Sequence, residues 1–183
     1  MTSAHVIADC DHITVLPVDG IERRGHVLAV DKALDLAILS VSGPYLRHHL
    51  VDIVKKSHVG DRLYALGYGV ISADPYRPTY FSGTFEGENT LANGNKILVI
   101  HAQVPAGTSG AALVDIQGRL AGTIIGRYTA APERGVAVPV QSIRTFAMKY
   151  GFMTPSNEVG SLPTAHQDDV LLNVSALVQC STK

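Results

Sequence analysis

The chain has 183 residues, 46% of them apolar and 17% charged, with a formal net charge of −1 at pH 7. That length suits one domain with a full core, and the apolar fraction excludes a disordered chain. The basic residues are scattered, only Arg23-Arg24 and Lys55-Lys56 being adjacent, so there is no stripe for nucleic acid, and no apolar run approaches a membrane span.

Read from its start, the chain shows no charged-then-apolar targeting segment, so no compartment is legible. It begins with Thr2-Ser3-Ala4-His5-Val6-Ile7, a histidine among small and apolar residues. Short apolar runs separated by turn residues follow, the pattern of a β-rich barrel or sandwich. Strands are predicted over 13–17, 24–30, 35–41, 62–67, 80–87, 97–104, 112–115, 120–127 and 136–139. Asp19-Gly20 and Asn93-Gly94 stand where hairpins need turns, and Gln117-Gly118 parts two apolar runs. No fixed period of tens of residues occurs, which excludes a propeller or solenoid.

Beyond Pro139 the period changes. Ile143, Phe146, Ala147 and Tyr150 are spaced as on one helix face, and Gly151 ends the run. Residues 154–167, with Pro155 and Pro163, read as a linker. Asp168-Asp169 then precede Val170, Leu171, Val174, Leu177 and Val178, predicting a short amphipathic helix with acidic residues at its positive end. The division expected is a domain over 1–153 followed by a linker and short amphipathic tail over 154–183. Cys10 and Cys180 are the only cysteines; spacing neither supports nor excludes a bridge between them. His48-His49 lack partners at metal-ligand spacing. Neither a metal site nor an organic cofactor is expected.

Three residue types carry chemistry. Ser109 stands in Val104-Pro105-Ala106-Gly107-Thr108-Ser109-Gly110, and Asp35 opens an apolar strand. A serine hydroxyl needs a base to take its proton as it attacks a carbonyl; His5 suits that role, and Asp35 would fix the imidazole tautomer. The order His5, Asp35, Ser109 is that of chymotrypsin-type sites, unlike the orders of α/β-hydrolases and subtilisin-type enzymes. Ala111 also breaks the Gly-x-Ser-x-Gly elbow of α/β-hydrolases.

Over about its first 150 residues the chain resembles the HtrA/Deg (Do-like) group of chymotrypsin-like serine peptidases. The blocks are 2–9 with Ile13-Thr14-Val15, Val30-Asp31 with 35–39, 59–67, the Ser109 loop, Gly118-Arg119-Leu120-Ala121-Gly122 and 135–140, in family order. The resemblance implies an all-β fold of two six-stranded antiparallel β-barrels closed by a C-terminal helix, here with the first barrel truncated at its N-terminal side. It implies a serine endopeptidase acting on polypeptides through His5, Asp35 and Ser109, with the N–H groups of Gly107 and Ser109 as oxyanion hole. The specificity pocket would draw on Gln103, Val104, Ala106, Thr123, Ile124, Ile125 and Gly126. None of these is acidic, so small or medium apolar side chains are expected at the cleaved position.

Two departures qualify that picture. Ala111 replaces a glycine of the family's nucleophile loop and would be strained if its φ were positive. Met1 stands directly before the histidine block, so the chain is expected to be a fragment, to borrow strands from a partner or homo-oligomer, or to be a non-catalytic binding relative.

Overall fold

A computed structural model describes residues 1–43, 57–68, 77–152 and 167–182. Most of the 154–167 linker and the pair His48-His49 lie outside the described residues. After a 3₁₀ turn over Ala4–Ile7 come strands β1 (His12–Pro17), β2 (Arg23–Asp31), β3 (Leu36–Val41), β4 (Arg62–Gly67), β5 (Thr79–Thr90), β6 (Lys96–His101), β7 (Ala112–Val114), β8 (Leu120–Arg127) and β9 (Arg134–Pro139). Helix α1 (Val140–Lys149) follows, then α2 (Gln167–Val174) and a last strand, β10 (Ala176–Ser181).

The expectation of an all-β, two-part architecture holds, with the parts unequal. Strands β4 to β9 close a barrel in the order β4-β5-β6-β9-β8-β7, whereas β10-β1-β2-β3 form an open sheet. The barrel closes because its strands supply apolar side chains to one interior, including Leu63, Phe85, Ile100, Leu113 and Ile124. β6 reads Ile97-Leu98-Val99-Ile100 without alternation and is buried on both faces. Pairing shifts by one residue between Phe85 and Gly87 and between Ile124 and Gly126, and such bulges give a barrel its bends.

The predicted turns form where Gly20, Gly94 and Gly118 take positive φ. In the β1–β2 hairpin, Asp19 pairs with the buried Arg23 at 2.6 Å. The Arg23 hydrogen bond and the Ile21 N–H hold the Asp19 carboxyl down at about 2.

The tail departs from the sequence reading. The helix predicted through Val178 stops at Val174, and Leu177 and Val178 belong to β10, paired antiparallel with β1 from Pro17↔Ala176 to His12↔Ser181. β10 covers one edge of the sheet and is bridged through Cys180 to Cys10, with Cα atoms 5.3 Å apart. Helix α2 packs Leu171 against Leu66 and Val114 of the barrel.

A second cluster joins sheet to barrel. Ala29 and Leu36 of the sheet meet Val138 of the barrel and Ile143 and Phe146 of α1. No helix among the described residues is long and apolar enough to cross a membrane.

Candidate active site

His5 and Asp35 meet where the open sheet faces the barrel. Asp35 closes the turn between β2 and β3 in the left-handed region, φ 55°, a conformation that aspartate tolerates better than most side chains. That twist turns its carboxylate toward the histidine turn. His5 Nδ1 lies 2.7 Å from Asp35 Oδ2, and the His5 backbone N–H donates to Oδ1 at 2.9 Å. The Ala4 N–H donates to the Asp35 carbonyl at 3.1 Å. Ring and backbone are thus both gripped by one residue, Nδ1–H acting as donor to the carboxylate and leaving Nε2 as the basic nitrogen. The histidine side chain is 53% exposed and that of Asp35 24%, so solvent and a ligand both have access.

Ser109 sits on the loop between β6 and β7. In that loop Thr108 N–H bonds to the Pro105 carbonyl, Gly110 N–H to the Ile124 carbonyl at 2.7 Å and Ala111 N–H to the Thr108 carbonyl. Among the described residues the N–H groups of Gly107 and Ser109 have no such acceptor. Gly107 and Gly110 take φ of 85° and 92°, a conformation that frees the loop to point alternate amides outward. Ala111 is not among the positive-φ residues; Gly110 absorbs the turn, and the strain considered for Ala111 does not arise. Among the described residues no hydrogen bond joins Ser109 Oγ to His5.

The pocket residues divide. Val104, Thr123 and Ile124 are 3%, 5% and 0% exposed, and Val104 and Ile124 belong to the barrel core. Gln103 and Ala106 are exposed, and Ile125 and Gly126 are partly so. Arg127, which the sequence reading passed over, is exposed and reaches the Val104 carbonyl at 3.4 Å.

Other residues missed from sequence shape the loop by contact. A Cβ on Gly67 would lie 2.6 Å from the Thr108 Cβ, and one on Gly110 would lie 2.8 Å from Thr2 Oγ1. Ser3, fully buried, donates to the Ile124 carbonyl at 3.4 Å. They stand in the blocks 2–9 and 59–67 and in the Ser109 loop, where small residues were the signal, but nothing local shows which of them touch. A cavity of about 340 Å³ lies beside the loop, lined by Val15, Leu39 and Val41 of the sheet, Leu66 of the barrel, and Ser109.

The model of the trypsin-like peptidase domain matches residues 1–122, and the chain belongs to that family. Serine protease Rv3671c of Mycobacterium tuberculosis is 28% identical over 162 residues, covering 85% of this chain and 40% of that protein. The Do-like serine protease HtrA of Lactococcus lactis is 25% identical over 194 residues, covering 97% of this chain and 43% of that protein. The chain thus spans less than half the length of these relatives. Among solved structures, the serine endoprotease of Yersinia pestis superposes with a TM-score of 0.69 at 26% identity, covering 81% of this chain and 52% of that one. An inactive form of the Rv3671c protease gives 0.68 at 24% identity, covering 82% and 77%. The HtrA/Deg resemblance read from the sequence blocks stands with these matches.

Proposed function

We propose that this chain is a serine endopeptidase in which Ser109 attacks a peptide carbonyl, His5 takes and returns the proton, and Asp35 holds the imidazole. The observation that carries the reading is the His5–Asp35 pair at 2.7 Å, with the Gly107 and Ser109 amides supporting an oxyanion site. As Ser109 Oγ attacks, its proton passes to His5 Nε2 and the substrate oxygen becomes anionic; His5 then protonates the leaving amine. Water repeats the sequence on the acyl-enzyme. Each oxyanion donor contributes roughly 2.7–4 kcal/mol to such transition states.

Small or medium apolar side chains are the proposed preference at the cleaved position. Gln103, Ala106, Ile125 and Gly126 offer no carboxylate to a basic side chain, and the Arg127 guanidinium would repel one. The outer edge of β3, which among the described residues is paired beyond β2 only where Thr2 meets Ala37, is the proposed place for a strand supplied by a partner chain or a second copy.

A fluorophosphonate probe read by intact mass tests the chemistry. Labelling of the folded chain that vanishes in Ser109→Ala is expected. A folded chain that stays unlabelled would instead be a peptide-binding relative. Ala/Val peptide libraries should be cut faster than Arg/Lys libraries.

A further inference from the structure

We infer that Ser3 is a positioning residue that holds the nucleophile loop against the histidine turn; its part in the reaction rests on the peptidase reading above. Ser3 is the residue before the 3₁₀ turn that carries His5, and it is 0% exposed. A serine in that position ordinarily turns its hydroxyl onto the turn's own amides, yet Ser3 makes no such cap. Its hydroxyl donates to the carbonyl of Ile124, 121 residues away on β8. A fully enclosed hydroxyl needs an acceptor, and this carbonyl is its acceptor among the described residues.

The Ile124 carbonyl also accepts the N–H of Gly110 at 2.7 Å, and the Ile124 N–H donates to the Ala111 carbonyl at 2.9 Å. Gly110 directly follows the nucleophile. One carbonyl oxygen therefore joins the segment that leads into His5 to the segment that follows Ser109. Packing reinforces the joint: Gly110 lies so close to Thr2 and Ser3 that a Cβ on it would stand 3.0 Å from the Thr2 Cα and 3.2 Å from the Ser3 nitrogen. Thr2 in turn exchanges both backbone bonds with Ala37, two residues beyond Asp35. The Ser3 bond, 3.4 Å long, is longer than an ordinary hydroxyl bond, and the packing of Gly110 on Thr2 and Ser3 holds the joint beside it. Ser3 touches no reacting atom; it sets the distance between the residues that do.

The test measures fluorophosphonate acylation and amide hydrogen exchange on the wild type, Ser3→Ala and Ser3→Thr. Ser3→Ala should slow the bound acylation step about tenfold with unchanged probe affinity, as the loss of one positioning hydrogen bond does. The Gly110 amide should exchange faster in Ser3→Ala, while the β6 amides keep their protection. Ser3→Thr retains the donor and adds a methyl group, so its melting temperature falls but its acylation stays within about twofold of the wild type. Unchanged acylation and Gly110 exchange in Ser3→Ala, or a threonine variant as slow as the alanine variant, would overturn the inference. If the folded wild type is not labelled, the peptidase reading fails. The holding role is then decided by Gly110 exchange, whose acceleration in Ser3→Ala upholds it and whose constancy refutes it.

Discussion

Asp35 makes three separate contacts with the histidine turn, two through its carboxylate and one through its carbonyl. Replacing it with asparagine keeps the shape and backbone bond but presents an amide that favours the wrong imidazole tautomer. Asp35→Asn should therefore fold normally and lose about 10⁴-fold in kcat, as initial rates on a peptide substrate would read. Gly67 illustrates a different dependence, on space alone. Gly67→Ala sets a methyl group into the Thr108 Cβ, and Thr108 is itself buried. Unfolding in urea should show a loss of about 1–3 kcal/mol, and probe labelling should slow as the loop is pushed outward. His5, Asp35 and Ser109 could be proposed from the sequence because each combines a reactive group with a local sequence context. Gly67, Thr2 and Ser3 were not: their roles arise from residues far away in the chain, and a small residue in a sequence does not announce what will press against it.

Among the elements, β10 was misread for a physical reason. Val170, Leu171, Val174, Leu177 and Val178 satisfy a helical period, and nothing local between Val174 and Ala176 forbids the helix from continuing. What decides the matter is the unpaired edge of β1, which gains a strand by receiving Ala176–Ser181, a tertiary preference that overrides local pattern. The nine earlier strands were legible because turn residues punctuate them and their apolar runs are short. The Cys10–Cys180 bridge fastens the seam across a sequence separation of 170 residues. Substituting both cysteines by serine should reduce stability by about 2–4 kcal/mol, as urea unfolding would measure, since so long a loop constrains the unfolded chain strongly. Cys10 lies just after the histidine turn, so limited proteolysis of that variant should cut near 8–12 before it cuts the barrel.

At the scale of the whole molecule, the candidate site depends on two unequal halves staying in register. The closed barrel carries Ser109, while His5 and Asp35 belong to the side of the open sheet. Leu36, 0% exposed, follows Asp35 directly and sits in the cluster with Val138, Ile143 and Phe146. Leu36→Ala should remove about 2–5 kcal/mol, and acylation of Ser109 should slow in the fraction still folded, because the cavity lies under the aspartate. The halves also differ in when they can form. Barrel hairpins such as β5–β6 and β7–β8 join strands that are near neighbours in the chain, whereas β1 waits for β10. Contacts between such distant segments form late, after the entropy of closing a long loop has been overcome. During synthesis the barrel segments leave the ribosome before residues 176–181 exist. The strand that follows the histidine therefore stays half-paired until the tail is made, whereas the contacts between Asp35 and the histidine turn need no part of that tail.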